Sequence, residues 1–412
     1  MSVLDPVDLD LVLVFGTVVV TALLARRTRL PITALEILAG ILLVAVVGFQ
    51  LPAGTTSIIV LGGLFIVFLA GFETGFGFLR ANLRRALTVG LAGFVGPFVG
   101  LFLALDLVVH APFLVSLVGA TVLADTSISI TYTTLQQFDL TELPFGRLVL
   151  ASTLCVNLAE DSTITISTVL TTPGFLFTVG VLLALALAAY LLPRLAKAVE
   201  GDQPGGFSNI AARSLLLSLA VLALLSALVG VPGILFVFLM GLVFSQLLPK
   251  TEWGQYLDRI RPIAFALFIP LYFVAVGLKV DPGFVLAHWS LLLALIGLAS
   301  LLKIASLLPA VRAVFGPART GPIVTLMNAR LTSATVILTL TLALGLITAG
   351  WYSVFISVVV VLALVASAAV RSFPAFRDVA SARALFAGGE ESIGIPGESA
   401  ARPTPLSGKP GF

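Results

Sequence analysis

The sequence predicts an all-α membrane protein that crosses the bilayer about thirteen times. Of its 412 residues, 59% are hydrophobic and only 10% are charged, and the mean hydropathy is +1.15. Soluble domains carry about 25% charged residues. Apolar stretches follow one another from Leu11 to Val370, and their lengths are close to the ~20 residues that a helix needs to cross the hydrocarbon core of a bilayer. The acidic opening "MSVLDPVDLD" lacks the basic region of a cleaved signal peptide.

The spans are delimited by charged residues, prolines and glycines that interrupt the apolar pattern. The predicted spans cover residues 9–25, 31–49, 55–72, 86–105, 112–135, 147–170, 174–193, 210–229, 232–248, 262–278, 288–311, 321–346 and 350–370. No connection between them is long enough to hold a soluble domain. Residues 1–373 therefore form one predicted transmembrane domain, and the Gly-, Ser- and Pro-rich residues 374–412 form a short disordered tail.

The basic residues predict the orientation. With an outer N-terminus, all but three of the 23 Lys and Arg residues lie in or beside cytoplasmic segments, and the exceptions are Lys279, Lys303 and Arg330. This asymmetry satisfies the positive-inside rule. We therefore expect a multi-pass protein of the cytoplasmic (inner) membrane with a cytoplasmic C-terminal tail. The net charge of +3 reflects this topology and does not indicate nucleic-acid binding.

Three sequence similarities recur about 200 residues apart and indicate an internal repeat. Pro31 and Pro232 are separated by 201 positions, Gly71 and Gly277 by 206, and Thr126 and Thr332 by 206. An odd number of spans lies between the partners, so the two halves have opposite orientations. Inverted repeats are typical of secondary transporters, whose binding sites lie near the bilayer midplane.

The fifth and twelfth spans are predicted to be discontinuous helices that cross each other. "LADTSISITYTTL" (123–135) and "LMNARLTSATVILTL" (326–340) place charged and hydroxyl groups at membrane depth. A broken helix is tolerated there only where protein or a water-filled cavity satisfies the freed backbone groups. Continuous helices whose Ser and Thr side chains bond to their own backbone are the alternative.

Five ionisable residues lie well inside the spans, and they are Asp125, Glu160, Asp161, Lys303 and Arg330. A charge at a helix centre costs at least about 2.5–3.5 kcal/mol, so these groups must pair, take up protons or face water. Three acids against two bases leave one negative charge. That surplus suits one cation or one proton, although Glu36 in the second span is a further candidate.

Glu160 and Asp161 are adjacent in "CVNLAEDSTITIST" (155–168) and point about 100° apart on a helix. One side chain can then face a basic partner while the other faces a cavity. An acid that holds either a proton or a metal ion, combined with alternating access, performs antiport. Oxygen ligands suit Na⁺ or another alkali cation. The alternative is a buried ion-pair network that only orders the helices. Nothing in the sequence indicates an enzyme or a resident cofactor.

Several segments resemble the cation:proton antiporter superfamily of Na⁺/H⁺ exchangers, and in particular its bacterial and archaeal thirteen-helix branch. The similar segments are "RLPITALEILAGIL", "LFIVFLAGFETGFGFLRANLRRA", "EDSTITI" and "IPLYFVAVGLKVD", and the resemblance extends over roughly residues 20–370. It implies a homodimer with a static dimerisation domain and a mobile core domain, in which two broken helices cross near the acids.

The resemblance also implies roles for individual residues. Asp161 matches the aspartate that carries the ion and the proton, and Lys303 matches the lysine that pairs with the preceding acid, here Glu160. Asp125 falls at the first helix break and Arg330 at the second. We expect Asp161 and Thr126 to bind Na⁺. Asp125, Ser127 and Asn157 are expected to supply further oxygen ligands.

Two features depart from the family pattern. Glutamate is unusual at the position of Glu160, and its longer side chain changes the geometry of a pairing with Lys303. Many relatives place the acid pair nine and ten residues after the arginine that matches Arg147, which would select Val156 and Asn157 here. Glu160 and Asp161 are preferred because an ion carrier needs a titratable group.

The expected function is exchange of Na⁺ for H⁺ by alternating access, with Li⁺ and K⁺ as other candidate cations. Cation and proton would compete at Asp161, and the paired acids favour electrogenic exchange. Two alternatives use the same scaffold: a Na⁺-coupled symporter of organic anions, and a K⁺ efflux channel or K⁺:H⁺ antiporter. Channel-type relatives tend to carry a cytoplasmic nucleotide-binding domain, which the sequence does not show.

Overall fold

The computed structural model describes residues 6–49, 56–72, 82–171 except 142, and 264–387, together with isolated positions between 180 and 262. This part of the chain contains fourteen α-helices and no strand. The prediction of an all-α fold is therefore confirmed.

The helices have the following bounds. They are α1 (Pro6–Thr28), α2 (Ile32–Leu42), α3 (Thr56–Phe72), α4 (Leu83–Leu103), α5 (Phe113–Ala124), α6 (Ile128–Gln137), α7 (Pro144–Thr171), α8 (Ile269–Leu278), α9 (Pro282–Ala287), α10 (Trp289–Phe315), α11 (Pro317–Leu326), α12 (Thr332–Ala343), α13 (Ala349–Val370) and α14 (Val379–Ala387). Short π-helical turns extend α2 to Val47 and α4 to Val108, and a third turn, Ala264–Phe268, precedes α8.

Each predicted span that falls on described residues coincides with a helix or a pair of half-helices. Four of these segments are long and apolar enough to cross a bilayer unaided: Leu83–Val108, Phe113–Gln137, Trp289–Phe315 and Ala349–Val370. The predicted spans 174–193, 210–229 and 232–248 lie outside the described residues apart from isolated positions. The total of thirteen crossings therefore stays a prediction.

Both predicted helix breaks are present. The fifth span divides into α5 and α6 around residues 125–127, and the twelfth divides into α11 and α12 around residues 327–331. Ser127 ends the first break as the N-cap of α6, where its hydroxyl accepts a hydrogen bond from the Ile130 amide. Ser and Thr favour this position because they satisfy an amide that has no partner within the helix.

The described helices pack as two groups. The smaller group contains α1, α2, α3 and α8, with α2 and α3 both lying against α8. The larger group contains α4–α7 and α10–α13, with α4 packed against α5, α7 and α10. Every residue predicted for the ion site belongs to the larger group.

In the smaller group, α2 and α8 approach closely at two glycines. A Cβ atom on Gly277 would come within 2.9 Å of the Gly40 Cα and would overlap the Ile37 carbonyl oxygen. Small residues at a helix crossing allow such close backbone contact in membrane proteins.

The prediction of disorder from residue 374 is wrong for residues 374–387. A 3₁₀ turn (Pro374–Phe376) and α14 lie against the larger group, and Phe376 and Phe386 are buried. Their rings contact each other, Phe376 stacks edge-on against Phe138 at 4.9 Å, and Arg319 donates to the Leu385 carbonyl at 2.8 Å. The overall composition of the tail is polar and did not indicate that Phe376 and Phe386 would be buried. The contacts of these two side chains hold the segment against the larger group.

Substitution Gly277→Val is expected to lower the melting temperature of the detergent-purified protein. The added atoms would overlap the α2 backbone, and overpacking of this kind costs about 1–3 kcal/mol. The matched control is Gly297→Val on α10, where a Cβ meets nothing within 4 Å. Equal melting temperatures for the two variants would contradict the close crossing.

Candidate functional site

The two helix breaks cross and satisfy one another's backbone groups. The Thr126 hydroxyl donates to the Met327 carbonyl at 3.0 Å, and the Ser127 amide donates to the Ala329 carbonyl at 2.8 Å. The hydroxyls of Ser127 and Thr332 are 3.0 Å apart, and Ser129 also contacts Thr332. Groups freed where one helix is interrupted therefore find partners where the other is interrupted.

Helix α10 supports both breaks from one buried face. Its Lys303 ammonium donates to the carbonyl oxygens of Ala124 and Asp125, at the C-terminal end of α5. One turn earlier, the Ala299 carbonyl accepts a 2.8 Å hydrogen bond from the Arg330 guanidinium of the second break. Arg330 also donates to the Asn328 carbonyl at 3.2 Å. A cation at a helix C-terminus is favourable because the free carbonyls carry partial negative charge.

Helix α7 presents Asn157, Glu160 and Asp161 on one side, at the i, i+3 and i+4 spacing that brings side chains together. All three are buried. With its amide oriented to donate, Asn157 reaches the carbonyl oxygens of Thr126 at 2.9 Å and Thr153 at 3.2 Å. It thereby fixes α7 to the first break.

Asp161 faces a small cavity between the two helix groups. The cavity measures about 10 Å³, close to the smallest volume that holds one water molecule. Its polar lining comes from Asn157, Asp161, Thr332 and Ser333, and its apolar lining from Ile66, Val67, Ile128 and Phe238. The Ser333 hydroxyl donates to the Asp161 carboxylate at 3.4 Å.

Glu160 points away from this cavity toward Asp125. The carboxyl oxygens of both residues are buried and make no hydrogen bond to a donor within the described residues. Asp125 interacts electrostatically with Glu160, Lys303 and Arg330, and Glu160 interacts with Asp125 and Asp161. The adjacent acids thus serve two surroundings, as their 100° separation predicts.

All five ionisable residues predicted at membrane depth come together in the structure. Each is at most 1% exposed, and they surround the crossing of the two breaks. Glu36 does not join them: it is buried on α2 in the smaller group, and its Oε1 has no hydrogen-bond partner among the described residues. Val156, the alternative to Glu160, is a core residue that packs near Gly93.

Two expectations differ from the geometry. The expected Glu160–Lys303 ion pair is not formed, since Lys303 turns to the carbonyls at the end of α5, whose partial charges lie directly in its reach. Thr126, expected to bind Na⁺, uses its hydroxyl to bond Met327 and does not line the cavity, and neither does Ser127.

Thr332 and Ser333 line the cavity but were not among the predicted site residues. The repeat contained the signal, because the separation of 206 that relates Thr126 to Thr332 also relates Ser127 to Ser333. The equivalent position in the other half was the place to look for further oxygen ligands.

The arrangement can hold one small hard cation or one proton. Its oxygen donors are a carboxylate, an amide and hydroxyls, which suit alkali cations. The five buried ionisable groups carry one net negative charge when all are ionised, and a single positive charge at Asp161 balances it. A buried charge without compensation is costly, so occupancy by either species is favourable.

Comparison with known proteins agrees with this chemistry. A family profile described as "Sodium/hydrogen exchanger, transmembrane" matches residues 14–373. The probable Na⁺/H⁺ antiporter 3 of Methanocaldococcus jannaschii is 22% identical over 210 residues, which cover 49% of this chain and 53% of the relative. The chain thus spans about half the length of that relative.

Among solved structures, the sodium proton antiporter MjNhaP1 of Methanocaldococcus jannaschii, determined at pH 8, has a similar fold. The TM-score is 0.65 at 12% sequence identity, and the alignment covers 92% of this chain and 99% of that one. At this identity the likeness concerns the fold alone.

Substitution Lys303→Met is expected to destabilise the purified protein by about 3–5 kcal/mol, as removal of one member of a buried charge cluster typically does. It would leave two carbonyls without their donor and three acids facing one base. Thermal melting in detergent measures this loss, with the lipid-facing change Leu301→Ala as control.

The double variant Lys303→Met with Asp125→Asn is expected to regain part of the lost stability, since it removes one negative charge together with the positive one. If Lys303→Met and the Leu301→Ala control have the same melting temperature, the stability of the crossing does not depend on this lysine.

Proposed function

Because this chain belongs to the sodium/hydrogen exchanger family, we propose that it is a secondary antiporter that exchanges Na⁺ for H⁺ by alternating access. The family places it in the cation:proton antiporter superfamily. Family membership supports cation/proton antiport. We propose in addition that the cation is Na⁺, that it competes with the proton at a single carboxylate, and that transport follows an alternating-access cycle.

The observation that carries the proposal is the position of Asp161. Its carboxylate is buried at the crossing of two broken helices and lines a cavity with room for one particle of the size of a water molecule. Broken helices at such crossings form the ion sites of many transporters. A carboxylate that coordinates a cation does so in its ionised form, so in this proposal Asp161 holds either a cation or a proton.

In the proposed cycle, Asp161 releases its proton when a cation enters the cavity. Asn157 and Ser333 supply neighbouring oxygen atoms, and Ser333 takes the ligand role that was expected of Thr126. Thr126 and Ser127 keep the two breaks in register. When the cation leaves on the other side, a proton returns to Asp161 and balances the charge during the return step.

The two buried basic groups keep a constant charge through the proposed cycle. Lys303 and Arg330 are bonded to backbone carbonyls, so their positive charges stay in place through the cycle. Glu160 and Asp125 lie beside them as a second pair of acids. We propose that Glu160 carries a further proton, which makes the exchange electrogenic.

The small cavity argues against the organic-anion symporter. A carboxylate substrate would meet the negative charge of Asp161 in a space of about 10 Å³, and ligand pockets for organic molecules are typically some 300 Å³ or more.

K⁺:H⁺ exchange would use the same site and is distinguished from Na⁺:H⁺ exchange by experiment. We further propose the cytoplasmic membrane as the location and the homodimer as the assembly.

Substitution Asp161→Asn is expected to abolish cation-dependent proton movement, because the amide cannot exchange a proton near neutral pH. Proteoliposomes with an imposed pH gradient and a pH-sensitive dye report the exchange after Na⁺, Li⁺ or K⁺ is added. The wild-type chain is expected to dissipate the gradient most rapidly with Na⁺.

The matched control for this experiment is Asp139→Asn. Asp139 is exposed and has a φ of 52°, a left-handed conformation that Asn tolerates well. Dissipation by Asp161→Asn at the rate of Asp139→Asn would refute the role of Asp161. Dissipation by K⁺ alone would replace Na⁺ with K⁺ as the substrate.

Substitution Glu160→Gln is expected to remove the voltage dependence of exchange while leaving some Na⁺-dependent proton movement. With one acid fewer, the exchange would carry one charge each way. Proteoliposomes clamped at different potentials with K⁺ and valinomycin measure the initial rates. Rates for the wild-type chain that do not change with potential would contradict electrogenic exchange.

A further inference from the structure

The site lies at the boundary between the two helix groups. Ile66 and Val67 of α3, in the smaller group, face Asn157, Asp161 and Ser333 of the larger group across the cavity. Access to Asp161 from either side of the membrane therefore requires the two groups to separate at one end of this boundary.

Two buried tyrosine hydroxyls form hydrogen bonds across the boundary. Tyr272 of α8 donates to the Thr339 hydroxyl of α12 at 3.3 Å. Tyr352 of α13 donates in the opposite direction, to the Val276 carbonyl of α8, at 2.8 Å. Both tyrosines and Thr339 are at most 1% exposed. A third bond, from the Asp281 amide to the Ser353 hydroxyl at 2.8 Å, lies close by.

These bonds all lie on the same side of the cavity. Thr339 is seven residues beyond the cavity residue Thr332 on α12, a rise of about 10 Å along the helix. Val276 is four residues beyond Tyr272 on α8, or about 6 Å farther in the same direction. Helix α8 ends two residues later, at Leu278. In the orientation that the sequence predicts, this is the external side.

The Tyr272 ring is firmly placed within the smaller group. A Cβ atom on Gly63 of α3 would approach its Cε2 to 2.9 Å, and one on Gly62 would approach its Cβ to 3.0 Å. The ring therefore fits against a glycine surface on α3, while its hydroxyl extends to the larger group. A rigid aromatic side chain held this way can keep its hydroxyl at one distance from the boundary.

We propose that the bonds Tyr272–Thr339 and Tyr352–Val276 form a latch that closes the external end of the boundary and favours the conformation in which the site opens to the cytoplasm. This inference rests on the proposed alternating access. The latch must open before Asp161 meets the external solution. Removal of either hydroxyl bond shifts the equilibrium toward the outward-open conformation by about fivefold, the factor expected for one buried hydrogen bond.

The latch is tested by thiol labelling at Thr335, a buried residue of α12 on the face that carries Thr332 and Thr339. The background variant is Cys155→Ala with Thr335→Cys, in right-side-out vesicles exposed to a membrane-impermeant maleimide. Tyr272→Phe, Tyr352→Phe and Thr339→Val, each added to this background, are expected to label about five times faster than the background alone.

The matched control is Thr341→Val on the same helix. Thr341 is also buried, but its hydroxyl bonds to the Ile337 and Leu338 carbonyls of its own helix and does not cross the boundary. It is expected to leave the labelling rate unchanged. Each of the three latch variants removes one hydroxyl. If one variant fails to fold, the other two still test the latch.

Labelling of the three variants at the control rate would overturn the latch. The readout needs no ion gradient, so it separates the latch from the transport proposal. Faster labelling together with a chain that exchanges no cation for protons would retain the latch and reject the antiport. Unchanged labelling with active, Asp161-dependent exchange would reject the latch alone.

Discussion

The structure depends on one constraint: within hydrocarbon, every backbone amide and carbonyl needs a partner inside the protein. Two helices are interrupted at membrane depth, and each would be untenable alone. They are stable together because each break satisfies the other, through Thr126 to Met327 and through Ser127 to Ala329. The proposed ion site lies where these two breaks cross.

This constraint explains the use of the buried charges. Lys303 and Arg330 direct their donors to carbonyls left free at the breaks, so the two bases are structural partners of the backbone. Among the described residues, none of the three acids forms a direct ion pair; Asp125 is attracted electrostatically to Lys303 and Arg330, and Asp161 faces the cavity. A salt bridge from Lys303 would hold Glu160 in its ionised form, whereas bonds from Lys303 to carbonyls leave Glu160 able to take up the proton that the proposed exchange assigns to it.

Much of the site could be read from the sequence, because charges inside apolar stretches are too costly to be accidental. The five ionisable residues and both breaks were found this way. The partner of Lys303 could not be found, since a lysine reaches a carboxylate and a carbonyl at similar spacing. The docked α14 was missed for another reason. Phe376 and Phe386 are two apolar residues in a tail that is otherwise rich in Gly, Ser and Pro. Asp378 caps the helix by accepting hydrogen bonds from the Ser381 amide and hydroxyl, and these bonds lower the pKa of its carboxylate. Composition averages over such single contacts.

The central claim is that a cation and a proton compete for Asp161. Isothermal titration of Na⁺ into the purified full-length chain, in buffers of different ionisation enthalpy, counts the protons released for each ion bound. The account predicts release of up to two protons for each Na⁺, one from Asp161 and one from Glu160, growing as the pH is lowered, and no Na⁺ binding by Asp161→Asn. Na⁺ binding without proton release, or equal binding by the variant, would contradict it.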